Sequence, residues 1–132
     1  MEAKVIWQKE KLKFIGHIEG SPEVLMDSDN GPTPMELVLI ALGGCTGMDV
    51  ISILQKMRQD VKDFQINLKA ERAEEHPRVF TKINLEYVIY GSNIDENAVK
   101  RAIELSQEKY CSVGGMLKKA LELTYSYRIV NE

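Results

Sequence analysis

Between Leu37 and Leu54 the chain runs for 18 residues with a single charge, Asp49. Leu37 to Leu42 is apolar on every side of a helical projection, and Val50, Ile51, Leu54 and Met57 then recur on one side. This pattern predicts a helix from Met35 to about Gln59 with Met57 turned inward. Met35 and Met48, also at helical positions, are expected in the core. A bilayer span needs roughly 20 apolar residues, and Gly43, Gly44, Thr46, Asp49 and Ser52 interrupt this one. It therefore reads as the buried helix of a soluble protein with no membrane partner. A helix apolar all round must be covered all round, which one small domain rarely achieves alone. The expectation is a homodimer with this helix at its centre.

The start of that helix is marked by Thr33-Pro34-Met35-Glu36: a capping threonine, a proline suited to the first helical position, and a glutamate three residues after the cap. Before it, Val5 and Trp7, then Leu12, Phe14 and Ile18, then Val24 and Met26 read as three short strands, and Asp27 to Pro34 reads as a loop. After it, Phe64, Ile66, Leu68 and Ala70 alternate with Gln65, Asn67 and Lys69. Ile83, Leu85, Tyr87 and Ile89 repeat the alternation beyond a turn at Glu74 to Pro77. That is a long hairpin with one wet face. Ser92 to Glu96 offers caps for a second helix carrying Val99, Ala102, Ile103 and Ser106. A short helix from about Val113 to Ala120 and a last strand through Leu123, Tyr125, Tyr127 and Ile129 follow. The order β-β-β-α-β-β-α-α-β describes a single α+β domain over residues 1–132, with a mostly antiparallel sheet.

Composition excludes several classes. With 17 basic and 20 acidic residues mixed along the chain, net charge −3, no basic block exists to neutralise phosphates, and nucleic acid is not expected as a partner. The opening MEAKVIWQKEKLKF has no apolar signal region. Two cysteines, 66 positions apart, do not form a disulfide framework. They are expected as reduced thiols in a cytoplasmic protein.

Cys45 lies in LGGCTGMD, where Gly43, Gly44 and Gly47 keep side chains away from the sulfur. Two readings fit: close approach of a substrate to a reactive thiol, or close helix packing around a small buried hydrophobe. A reactive thiol needs a cationic or dipolar neighbour. Asp49, four residues on and on the same face, acts the other way. Glu36, nine residues back, is about half a turn out of phase. The activating group is expected from elsewhere, such as a second subunit. Cys111, in SQEKYCSVGG, precedes a short helix whose free N–H groups favour an anion, with Lys109 close by; a packing role at the cap is the alternative. His17 sits on a strand and His76 in a turn. Two cysteines and two histidines could bind zinc in principle, but no close C-x-x-C or H-x-x-x-H spacing supports a metal. No nucleotide-binding glycine motif or Ser/His/Asp signature is present, so no cofactor is expected.

Three segments carry a family resemblance. Thr33-Pro34-Met35-Glu36-Leu37 through Gly44-Cys45-Thr46, Glu75-His76-Pro77-Arg78-Val79-Phe80-Thr81-Lys82, and Ser106-Gln107-Glu108-Lys109-Tyr110-Cys111-Ser112 resemble the OsmC/Ohr-like proteins, in order and across nearly the whole chain. The TPMEL and GGCTGMD segments resemble the less characterised OsmC-like branch. The resemblance implies an intertwined homodimer with two central helices and sites at the subunit interface. It also implies reduction of organic hydroperoxides in oxidative-stress defence, with Cys45 peroxidatic, Cys111 resolving, and a dithiol as reductant. The family's thiolate-stabilising arginine, from the N-terminal region, and the glutamate directly after the helix-start proline are not at their usual positions. This chain has no arginine before Arg58, and Met35 follows Pro34 with Glu36 one place later. Arg78, Lys13 or His17 are the candidate replacements. Two other functions stay open: a thiol redox sensor or sulfur carrier using the same cysteines, and a non-catalytic module binding a small apolar ligand.

Overall fold

The computed structural model describes residues 1–132. The chain divides into two compact units, Met1–Val38 and Leu39–Glu132, each with its own three-stranded sheet. In the first, β1 (Lys4–Trp7), β2 (Lys13–His17) and β3 (Val24–Asp27) form an antiparallel meander, with Trp7 opposite Phe14 and Phe14 opposite Met26. Val5, Trp7, Leu12 and Val24 are exposed. Asp27 organises the loop that follows, its Oδ1 accepting from the Asp29 N–H at 2.9 Å. The unit ends in the expected capping box: Thr33 N–H donates to Glu36 Oε1 at 3.0 Å, and Glu36 N–H to Thr33 Oγ1 at 3.3 Å. These bonds start α1 (Pro34–Lys56), which continues through the second unit.

In the second unit β4 (Asp60–Arg72) and β5 (Phe80–Ser92) form the long hairpin. The pairs Phe64↔Ile89, Ile66↔Tyr87, Leu68↔Leu85 and Ala70↔Ile83 put the two alternating apolar rows on one face, because directly paired residues share a face. The β5 members of those rows are buried. The last strand, β6 (Glu122–Asn131), joins this sheet beside β5 in parallel. A parallel neighbour requires a crossover, and here it is α2 (Glu96–Leu105), a wide π-helical turn (Ser106–Tyr110) and α3 (Ser112–Leu117). Asp95 caps α2 by accepting from Asn97 N–H at 2.9 Å, and Ala98, Val99, Ala102 and Ile103 form its buried stripe. The sequence pattern contains the two helices but neither the parallel pairing of β6 nor the π turn. Its expected single sheet is two, mostly antiparallel within an α+β chain.

The hairpin's apolar face receives α1. Leu42, Gly43, Thr46, Val50 and Leu54 are the buried residues of the helix, spaced to lie on one side of it. Each fully buried leucine or valine contributes roughly 1.5–3 kcal/mol. A Cβ on Gly43 would stand 2.9 Å from Leu68 Cδ1, so this glycine is what lets helix and sheet meet so closely. Gly44 has open space where its Cβ would be, and Met48 and Met57 are exposed at 74% and 40%, not in the core as expected. Met48 is two residues from both Thr46 and Val50, about 200° around the helix from each, which turns it away from the sheet. Gly43→Val should therefore destabilise the fold by about 1–3 kcal/mol through overpacking, measured by urea unfolding of the variant beside the parent chain.

Candidate functional site

The crossover places Cys111 against α1. Cys45 and Cys111 stand 3.4 Å apart and are not bonded. Cys45 is half-buried and Cys111 is buried, 5% exposed. Cys111 ends the π turn, its N–H donating to Ser106 O at 2.8 Å, and is the N-cap of α3. Its sulfur accepts from Gly114 N–H at 3.3 Å. A Cβ on Gly114 would lie 3.2 Å from that sulfur, so the glycine keeps the thiol's surroundings open.

Two forces act on the Cys111 thiol in opposite directions. Burial, the larger, disfavours the thiolate; the Gly114 N–H favours it; and Cys45 and the Asp49 carboxylate add to the side of burial. The result is a pKa pushed up from 9.0 to about 11. The anion-favouring setting expected for Cys111 is thus outweighed. Lys109 does not correct it, since its Nζ sits 5.2 Å over the Tyr110 ring. Cys111 is a protonated thiol at neutral pH.

Around the pair runs a chain of side-chain hydrogen bonds. Gln107 Nε2 donates to Tyr87 Oη at 2.7 Å. Tyr87 Oη and Thr46 Oγ1 are 2.8 Å apart, Thr46 Oγ1 and Ser106 Oγ 2.6 Å, and Ser106 Oγ donates to Asp49 Oδ2 at 3.0 Å. A hydroxyl has one proton to give, and the carboxylate at the end can only accept. Ser106 therefore donates to Asp49, Thr46 to Ser106, and Tyr87 to Thr46. Burial also holds the Tyr87 hydroxyl above its ordinary pKa, so it stays protonated and able to donate.

Of the residues singled out from the sequence, Cys45, Cys111 and Asp49 come together. Arg78 does not join them within one chain. It lies in the hairpin turn before β5, while Tyr87, beside Thr46, is seven residues into that strand. At roughly 3.3 Å per residue this is about 23 Å, beyond the reach of one side chain. The Glu36 carboxylate is held by Thr33 in the capping box, whose backbone N–H lowers its pKa. His17 Nδ1 lies 4.0 Å from Glu23 Oε1 in the first unit, and Lys13 Nζ 3.6 Å from Glu10 Oε2. Sequence reasoning missed Thr46, Tyr87 and Gln107 as site residues, and placed Ser106 only by its helical spacing. The signal was available: Thr46 interrupts an apolar helix, Ser106 extends an apolar stripe, and Tyr87 sits in a row of isoleucine and leucine. A buried polar group in such a place needs a partner.

The raised Cys111 pKa gives a direct test. Because the fold favours its protonated form, that contribution to stability is complete below pH 9 and is lost as pH rises through about 11. At pH 8, alkylation of Cys111 by iodoacetamide in the reduced protein should run about a hundredfold slower than at an ordinary thiol. It should keep accelerating beyond pH 10, as read by peptide mass mapping.

A sequence profile of the family described as OsmC-like protein matches residues 27–126. Protein YhfA of Escherichia coli strain K12 is 50% identical over 133 residues, covering 98% of both chains. A hypothetical protein from Aquifex aeolicus has a crystal structure 37% identical in sequence. It superposes with a TM-score of 0.91 over 99% of this chain and 96% of that one. The organic hydroperoxide resistance protein OhrB of Bacillus subtilis shares the fold at 12% identity, with a TM-score of 0.63 over 97% of this chain and 98% of its own. By its profile match, its close relatives and its fold, the chain belongs to the OsmC-like protein family.

Proposed function

We propose that this protein is a thiol-dependent peroxidase that reduces organic hydroperoxides through Cys45 and Cys111. The observation that carries this reading is the 3.4 Å approach of two unbonded cysteines, unequal in burial, on a fold shared with a hydroperoxide resistance protein. The half-exposed Cys45 takes the first step. Its thiolate attacks one peroxide oxygen, the O–O bond breaks, and the other oxygen leaves as an alcohol after taking up the thiol proton. Cys111 takes the second: its sulfur attacks the Cys45 sulfenic acid, the S–O bond breaks, and water leaves with the Cys111 proton. A dithiol then reopens the disulfide and is itself oxidised. The protonated state of Cys111 keeps it from competing with Cys45 for the peroxide, because the thiolate is the nucleophile; in the second step its proton passes to the departing oxygen as its sulfur attacks.

The working form in this reading is a homodimer. Ala41, Gly44 and Met48 are exposed on α1, flanked by exposed Ile40, and they form one apolar stripe by helical spacing. Cys45 sits at the edge of that stripe, so a second copy laid along it would roof the thiol and could supply a cation to it. Met48→Glu should convert dimer to monomer in analytical ultracentrifugation and lower peroxidase turnover with it.

A thiol sensor or sulfur carrier is the second reading, favoured by one observation: the charged group facing the pair is a carboxylate, Asp49. Consumption of cumene or tert-butyl hydroperoxide with dithiothreitol separates the two. Turnover should be abolished in Cys45→Ser, while Cys111→Ser should accumulate a Cys45 sulfenic acid that dimedone traps. A parent protein that forms the Cys45–Cys111 bond reversibly, yet consumes neither hydroperoxide with any dithiol, is a sensor or carrier and the peroxidase reading fails.

A further inference from the structure

We infer that Thr46 and Ser106 are positioning residues for closure of the Cys45–Cys111 disulfide, holding the π turn against α1 through the directed hydroxyl chain that ends on Asp49. The inference rests on the paired-cysteine reading and concerns only its second step. Thr46 is the residue next to Cys45. Ser106 opens the π turn whose closing hydrogen bond is made by Cys111 N–H. The shortest bond in the chain, 2.6 Å between Thr46 Oγ1 and Ser106 Oγ, therefore ties the neighbour of one cysteine to the turn that carries the other. A second tie, Gln107 Nε2 to Tyr87 Oη, fixes the next residue of the same turn to β5.

Both hydroxyl residues are fully buried, 0% exposed, and no buried side-chain polar atom lacks a partner. As folded, the turn leaves none of its buried side-chain polar atoms without a partner. Moving Ser106 away from α1 would leave the buried Thr46 hydroxyl proton without its acceptor, and moving Gln107 with it would take from Tyr87 Oη its amide donor. A π turn is rare and occurs mostly as a single turn inserted in an α-helix, so the competing arrangement of this segment is a change to α-helical register. Such a change would swing Cys111 away from Cys45. The hydroxyl chain prevents it, and Asp49 gives the chain its direction.

The test uses a reagent other than peroxide, so that its outcome is independent of peroxidase activity. Methyl methanethiosulfonate at one equivalent gives a methylthio disulfide on one cysteine and releases methanesulfinate. The other cysteine then attacks, expelling methanethiol with its own proton and leaving the Cys45–Cys111 bond. Quenched-flow mass spectrometry reads both steps. Thr46→Val should leave the first step near the parent rate and slow the second about ten- to hundredfold, the scale of penalty for a misplacement of order 1 Å, so that the methylthio adduct accumulates. Thr46→Ser, which keeps the hydroxyl, should restore closure. Ser106→Ala, a smaller perturbation, should reproduce the split if Thr46→Val is too unstable to purify. Closure at the parent rate in both Thr46→Val and Ser106→Ala overturns the inference, as does equal slowing of both steps, which marks a general loss of structure. If no hydroperoxide is consumed but the split between the two steps is seen, the peroxidase reading fails and the positioning role stands.

Discussion

The hydroxyl of Thr46 is the point on which the second unit turns. A threonine within a helix commonly bonds back to the carbonyl a turn earlier. This one reaches outward instead, to Tyr87 on β5 and to Ser106 in the crossover. Three elements distant in sequence share one oxygen atom, and that atom is completely buried. Each such bond contributes only about 0.5–1.5 kcal/mol net, whereas leaving a buried partner unsatisfied costs about 1–3 kcal/mol. The asymmetry sets the order of importance. Apolar packing of Leu42, Val50 and Leu54 supplies most of the adhesion between helix and sheet, and the polar contact decides their register.

The same contact explains why the two cysteines differ. Cys45 lies at the edge of the helix face that Thr46 turns inward, and so is half-buried. Cys111 is drawn under cover by the crossover, and burial outweighs the N–H group that α3 offers it. Two thiols of the same type thereby acquire different availabilities. Asp49 belongs to both aspects, because it terminates the hydroxyl chain and its charge opposes ionisation of Cys111.

Much of the architecture was legible in the residue pattern. Alternation along Phe64–Ala70 and Ile83–Ile89 marked the hairpin and its inner face, and Thr33 with Glu36 marked the start of α1 within a residue. The capping signals work because they rest on neighbours three residues apart. The parallel pairing of β6 with β5 was not legible, nor was the π turn, since neither has a local composition that demands it. Met48 was misplaced because an apolar side chain at helical spacing looks the same whether it faces its own sheet or open surface. Lys109 was misplaced because sequence proximity to Cys111 says nothing of direction, and its ammonium settled over the Tyr110 ring instead.

What the sequence by itself determined was the set of elements, their order, and a cysteine on the central helix with another just before a short helix. These follow from periodicity, capping and turn chemistry, all of which act over a few residues. Only the tertiary structure brought residues 45 and 111 to 3.4 Å. It also joined Thr46, Tyr87, Ser106, Gln107 and Asp49 into one chain and pushed Cys111 toward its protonated form. Those outcomes depend on burial and on partners 20 to 60 positions away in the sequence. Desolvation and hydrogen-bond completion belong to the packed interior, and no local pattern of residues contains them.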